Sequence, residues 1–165
     1  MLQVFDSWSG ELGPHEFSQF SLPYLRQIAG RVKDELGPEV SVPMTIFAKG
    51  SWYALEELST SGYDTVSLDW THTSEAKRIT RGRVTLQGNL EPSVFLGDDE
   101  SIARATEKMV REIGSSQRYI ANLGHGILPG VRVEAMDVFL KTVHRVGREV
   151  AMEKEDNESG GEEGW

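Results

Sequence analysis

Short apolar segments alternate with longer amphipathic ones along most of the chain. Five of the short segments are rich in Val, Ile, Leu and Phe and are bounded by glycine, proline or polar residues, which is typical of buried β-strands. They predict strands at residues 2–5, 42–47, 65–68, 84–87 and 118–123. Each predicted strand ends at a polar or glycine-containing tip.

The intervening segments have apolar residues at helical spacing. They predict helices at residues 15–36, 53–59, 74–79, 99–113 and 133–152, with Pro23 bending or splitting the first helix. Gly37-Pro38 ends that helix, and Asp98 is placed as an N-cap. The apolar stripe predicted to face inward in the first helix consists of Phe17, Phe20, Tyr24, Leu25, Ile28, Val32 and Leu36.

Strands that alternate with helices indicate an α/β fold with a parallel sheet. Both a doubly wound sheet and a (β/α)8 TIM barrel fit this alternation. The polar strand tips favour the barrel, whose functional residues gather at the carboxyl ends of several strands. Five strands do not close an eight-stranded barrel. We therefore expect a partial barrel.

Composition narrows the range of functions. The chain has no cysteine, which excludes disulfides and thiolate metal sites, and no two histidines have the usual metal spacing, so no metal is expected. The net charge is −9, and residues 153–165 carry six acids and one lysine. An acidic body without a basic stripe argues against nucleic acid as a partner. With no signal peptide and no membrane-length apolar run, we expect a cytoplasmic protein.

His125 is the sharpest candidate for chemistry, because it follows a predicted strand and lies between Gly124 and Gly126. Histidine is the side chain that most readily gains and loses a proton near neutral pH, which suits this residue type to proton transfer or the binding of an anion. A histidine that only stabilises its own loop is the structural alternative. Ser7 is not in a Gly-x-Ser-x-Gly motif, so a hydrogen-bond donor to a carboxylate, or a turn serine, is favoured over a nucleophile.

Other strand tips carry Asp6, Lys49, Asp69 and Asn89. The two aspartates could act as general acids or bases, but support of neighbouring groups through ion pairs is the favoured interpretation. Lys49 could pair with an anionic substrate or be a solvated loop lysine.

Seven segments together resemble the C-terminal part of the uroporphyrinogen decarboxylase family, most closely its eukaryotic branch. They are LQVFDSWSG (2–10), FSLPYLR (20–26), VPMTIFAK (42–49), ALEEL (54–58), LDW (68–70), VTLQGNL (84–90) and RYIANLGHG (118–126). The resemblance implies the last five β/α units of a (β/α)8 barrel, without its N-terminal strands, over residues 1–152. Residues 153–165 are acidic, rich in glycine and poor in apolar residues, so we expect them to form a disordered tail.

The family removes the four acetate carboxyl groups of uroporphyrinogen III as carbon dioxide, which gives coproporphyrinogen III in haem biosynthesis. The resemblance implies a homodimeric carboxy-lyase that needs no cofactor, and it implies that Ser7 and His125 contact the tetrapyrrole substrate. The aspartate and arginines that the family uses for catalysis have no counterpart here, so no catalytic residue is assigned. We expect a fragment that is inactive alone.

Two alternatives stay open. One is a related barrel methyltransferase, although that class typically holds zinc with cysteine and histidine. The other is a non-catalytic fragment that acts only through association of the dimer type, because unpaired strand edges favour association.

Overall fold

The computed structural model describes residues 1–72, 74–113 and 118–159, the last six of them through the backbone only. Within these ranges, five strands alternate with six α-helices. The strands are β1 (Leu2–Asp6), β2 (Met44–Ala48), β3 (Thr65–Ser67), β4 (Thr85–Leu90) and β5 (Tyr119–Leu123). The helices are α1 (Pro14–Phe20), α2 (Leu22–Val40), α3 (Leu55–Leu58), α4 (Glu75–Thr80), α5 (Asp99–Glu112) and α6 (Val133–Ser159).

The sheet has the strand order β1-β2-β3-β4-β5, and every neighbouring pair is parallel. A doubly wound sheet reverses its strand order at a switch point, whereas a β/α barrel adds each strand next to the preceding one. The sequential order therefore confirms the predicted partial barrel and excludes the doubly wound alternative.

The two faces of the sheet carry different side chains, because successive residues of a strand point in opposite directions. Met44, Ile46, Val66 and Leu86 are buried in one hydrophobic cluster together with residues of α1 to α4. A second cluster joins β4 and β5 to α5 and α6. The helices thus cover one face. The other face carries the residues that alternate with these along each strand. One row of register neighbours crosses that face and consists of Phe5, Phe47, Ser67, Gln87 and Ile120.

The first predicted helix is split as expected. α1 ends at Phe20, and α2 begins at Leu22, directly before Pro23. Gly37 has φ of 68° and interrupts α2, but helical backbone resumes for a short stretch as far as Val40. The final helix continues to Ser159, beyond the predicted end near Met152 and into the segment predicted to be a disordered tail. Residues 160–165 of that tail lie outside the described residues.

The predicted inward stripe of the first helix was partly wrong. Phe17 and Leu25 are buried, but Phe20 and Tyr24 are 61% and 63% exposed, and Ile28 is 40% exposed. Helical spacing predicts which residues share a side of a helix, and it does not determine how much of that side is covered. Here Phe20 and Tyr24 line a surface pocket with Asp6 and Trp8, and the described elements leave both side chains largely exposed.

Candidate functional site

The carboxyl ends of the five parallel strands meet at one edge of the sheet. Ser7 follows β1, Lys49 follows β2, Asp69 follows β3 by two residues, and His125 follows β5 by two residues. Asn89 is different, because β4 continues through it to Leu90. The six polar residues predicted at strand tips therefore lie at the same end of the sheet, but their side chains serve different purposes.

A cavity of about 520 Å³ opens on the face of the sheet away from α1 to α5, and Met136 of α6 also lines it. It brings together Ser7 from the first strand tip and His125 from the last, and both side chains are exposed to it. Its other lining residues are Gln3, Phe5, Phe47, Ser67, Asn122, Leu123, Gly126, Ile127 and Met136. The wall combines aromatic rings with neutral hydrogen-bonding groups, as is common in pockets for organic ligands.

His125 contacts two aromatic rings. Its ring centroid lies 6.1 Å from that of Phe47 and 6.1 Å from that of Trp70, with interplanar angles of 68° and 74°. Such edge-to-face contacts are favourable for aromatic rings. The preceding Gly124 has no room for a side chain, because an added Cβ would lie 2.5 Å from the Trp70 backbone nitrogen. Close backbone packing thus delivers the imidazole to the cavity.

Asp69 holds the turn that follows β3. Its carboxylate is 2% exposed and accepts hydrogen bonds from the backbone N–H of Gly50 at 2.5 Å and of Thr71 at 2.9 Å. The Thr71 hydroxyl also donates to it, and His72 Nδ1 lies 3.2 Å from the carboxylate. Asn89 binds the same turn, since its side-chain amide donates to the carbonyls of Asp69 and His72 at 2.8 and 2.9 Å.

The environment of Asp69 keeps its carboxyl group ionised. Burial by itself would raise its pKa, but the hydrogen bonds from His72, Thr71 and Gly50 outweigh burial and hold the pKa well below its usual range. A group with this pKa is a poor proton donor at neutral pH. The interpretation of Asp69 as support for its neighbours is therefore favoured over a general acid or base.

Asp6 and Lys49 do not line the cavity. The Asp6 carboxylate turns toward the helices and accepts a hydrogen bond of 2.5 Å from the Ser21 hydroxyl between α1 and α2. Lys49 Nζ lies 6.0 Å from the centroid of the Trp70 ring, at the outer range of a cation–π contact. Neither arrangement supports the general acid or base role considered for Asp6 or a role of Lys49 within this cavity.

Several site residues were not identified from the sequence. Phe5 and Phe47 form part of the cavity wall, and the two-residue period of the strands places them on the same face as Gln3 and Ser67. The two-residue period could therefore have identified Phe5 and Phe47 from the sequence. His72 was not among the candidate residues. It lies in the loop after β3, and its side chain is only 5% exposed and lies against Asp69. No local pattern marks it, because its burial depends on packing against other parts of the chain.

Comparison with known proteins identifies the family. A profile of uroporphyrinogen decarboxylase (URO-D) matches residues 1–146. The chain belongs to the uroporphyrinogen decarboxylase family. The enzyme of Schizosaccharomyces pombe is 48% identical over 153 residues, which are 89% of this chain and 42% of the relative. The human enzyme is 44% identical over 150 residues, 89% of this chain and 41% of the relative.

The chain spans about two fifths of the length of these curated relatives. Among solved structures, a methyltransferase from Methanosarcina mazei superposes with a TM-score of 0.72 at 16% identity. The match covers 87% of this chain and 42% of that one. This likeness shows the fold alone.

In residues 1–72, 74–113 and 118–159, no group of three or more His, Asp or Glu side chains is arranged to hold a metal ion. Within the same ranges, no helix has the length and apolar content needed to cross a membrane.

Proposed function

We propose that this chain forms the substrate-binding C-terminal part of a uroporphyrinogen decarboxylase and does not turn over substrate alone. The observation that carries the proposal is that Ser7 and His125, which are 118 positions apart, line one cavity at the carboxyl ends of the strands. The family membership supports the substrate class, because uroporphyrinogen carries carboxylate side chains around a tetrapyrrole ring.

The cavity residues can recognise a carboxylate by hydrogen bonding. The Ser7 hydroxyl is a donor, and the imidazole of His125 donates from one ring nitrogen when neutral and from both when protonated. Contacts of Phe47 and Trp70 limit the rotation of the imidazole. Phe5 and Phe47 offer apolar surface for a pyrrole ring. We assign substrate binding to Ser7 and His125, and no catalytic residue.

The expected lack of turnover follows from the absence of positively charged side chains in the described cavity wall. None of the described residues that line the cavity is an arginine or a lysine. A substrate with eight carboxylates calls for positive partners, and paired arginine–carboxylate contacts are the usual solution. Neutral donors and one imidazole can orient one or two carboxylates, but they leave most of the substrate charge unpaired.

The experiment is an anaerobic decarboxylation assay of the purified chain with uroporphyrinogen, beside a full-length relative such as the human enzyme. We expect no coproporphyrinogen from the chain under conditions in which the relative completes the reaction. Formation of coproporphyrinogen at a rate near that of the relative would contradict the proposal that the chain is inactive alone.

Binding is tested separately by fluorescence titration with uroporphyrin, the stable oxidised form of the substrate. His125→Gln and Ser7→Ala should each weaken binding about 10-fold, since a hydrogen bond to a charged group contributes roughly 1.5–3 kcal/mol. His144→Gln makes the same change on an exposed part of α6 and should leave binding unchanged. Equal affinities of all three variants and the parent chain would exclude the assigned cavity.

A homodimer of the intact enzyme and a cytoplasmic location belong to the same proposal and stay predictions. Sedimentation of the intact enzyme measures the first, and localisation of a tagged chain in cells measures the second.

A further inference from the structure

We propose that Asp69 is a positioning residue that sets the place of the His125 ring through the turn 69–72. Asp69 does not line the 520 Å³ cavity and has no part in the contacts assigned to the substrate above. The effect on binding rests on the proposed function, whereas the effect on the ring contacts does not.

The turn 69–72 is fastened to both neighbouring strand ends. The Asp69 carboxylate binds the backbone N–H of Gly50, which follows β2. The Asn89 side chain in β4 binds the carbonyl oxygens of Asp69 and His72. Within the turn, Thr71 and His72 both contact the carboxylate. The turn is thereby fixed across three strands.

The same turn packs against the backbone next to His125. A Cβ added at Gly124 would lie 2.5 Å from Trp70 N, 3.0 Å from Asp69 C and 3.1 Å from Asn89 O. Because the two backbones are already in contact, a displacement of the turn changes the place of the chain that carries His125. Interiors packed this closely transmit strain.

The turn also carries one of the two rings beside His125. Trp70 directly follows Asp69, and its indole meets the imidazole edge to face. The other ring contact comes from Phe47 in β2, the strand that leads to the Gly50 amide bound by Asp69. The carboxylate therefore holds both rings at the spacing that accepts His125.

The negative charge of the Asp69 carboxylate is needed to hold the turn in place. An ionised carboxylate accepts hydrogen bonds through both oxygens, so it can serve Gly50, Thr71 and His72 together. Asp69→Asn keeps the size of the side chain but places an NH2 group against a donor. We expect this clash of donors to release one side of the turn and to move Trp70 away from His125.

The test uses NMR of the ligand-free chain together with uroporphyrin titration. The imidazole resonances of His125 are assigned with His125→Gln, and nuclear Overhauser contacts from the ring to Trp70 and Phe47 are measured. In folded Asp69→Asn, the contact to Trp70 should be lost and the dissociation constant for uroporphyrin should rise about 10-fold. Asp34→Asn, an exposed change of the same chemistry on α2, should alter neither.

Intact contacts between His125 and Trp70 in a folded Asp69→Asn would overturn the proposal. If that variant does not fold, Thr71→Val tests the proposal instead. This change removes the hydroxyl donor to the Asp69 carboxylate and leaves the hydrogen bonds from Gly50 and His72. Weakened Trp70 contacts in Thr71→Val support the proposal, and unchanged contacts overturn it. A parent chain that shows the ring contacts but does not bind uroporphyrin contradicts the proposed function and leaves the positioning role standing.

Discussion

At the residue scale, the two glycines beside His125 look equivalent in the sequence but have different surroundings. A side chain at Gly124 would collide with the backbone of the Asp69–Trp70 turn, whereas nothing lies within 4 Å of a Cβ added at Gly126. Neither residue has a positive φ, so steric space distinguishes them and backbone conformation does not.

This difference gives a matched pair of variants. Gly124→Ala should lower the free energy of unfolding by about 1–3 kcal/mol, the usual cost of overpacking, because backbone atoms at 2.5–3.1 Å have to move. Gly126→Ala should be close to neutral. Urea denaturation of both variants measures the difference. Equal stabilities would contradict the close approach of the two turns.

The depressed pKa of Asp69 predicts a dependence of stability on pH. Because the folded state holds this carboxyl ionised at pH values where the unfolded chain protonates it, the stabilisation is complete above the unfolded pKa of about 4. It is lost as the pH falls toward the folded pKa. The urea midpoint should therefore decrease more steeply between about pH 5 and pH 3 in the parent chain than in Asp69→Asn. Parallel decreases in the two proteins would exclude a depressed pKa at this site.

At the element scale, α5 shows how local chemistry determines where a helix begins. The Asp98 side chain accepts a hydrogen bond of 2.8 Å from the backbone N–H of Ser101, as predicted for an N-cap. Asp99 and Glu100 follow in the first turn, where negative charge suits the helix dipole. The other side of α5 packs with α6 in the second hydrophobic cluster.

Removal of this cap should destabilise the chain without changing its fold. Asp98→Ala leaves the amide of Ser101 without its side-chain partner, and we expect the thermal midpoint to fall by about 2–4 °C. Asp98→Ser keeps a capping oxygen and should retain most of the stability. Thermal unfolding followed by circular dichroism compares the three proteins. A midpoint of Asp98→Ser as low as that of Asp98→Ala would assign the effect to charge rather than to capping.

At the scale of the whole molecule, the sheet is open at both sides. Among the described residues, β1 pairs only with β2, and β5 pairs only with β4. The Leu2 amide and the Asp6 carbonyl bond toward β2, so the alternation of a parallel strand turns the backbone groups of Gln3 and Phe5 toward the open edge. Open edges with exposed apolar side chains favour association.

We predict concentration-dependent association through the β1 edge. Gln3→Lys places a charge on this edge and should shift the chain toward monomers in sedimentation velocity experiments, because an edge lysine opposes strand pairing. Gln27→Lys adds the same charge on an exposed position of α2 and should associate like the parent chain. Identical behaviour of the two variants would show that net charge, and not the edge, controls association.

The sequence by itself determined the order of the elements, their parallel arrangement and the family. Strand and helix periods are local properties, so they were visible in the apolar spacing. Pro23 and Gly37 marked helix boundaries through their backbone conformations, and Asp98 marked one through the hydrogen-bonding oxygen of its side chain. The choice of a partial barrel over a doubly wound sheet was also correct. The place of Ser7 and His125 at strand ends followed from the same local signals.

The tertiary structure decided which polar tips face the cavity. Ser7 and Asp6 are neighbours in sequence, yet one lines the cavity and the other binds Ser21 on the helix side. The burial of His72 and the exposure of Tyr24 depend on elements that are distant along the chain. Periodicity groups residues on a face, but only the packing of separate elements determines what that face meets.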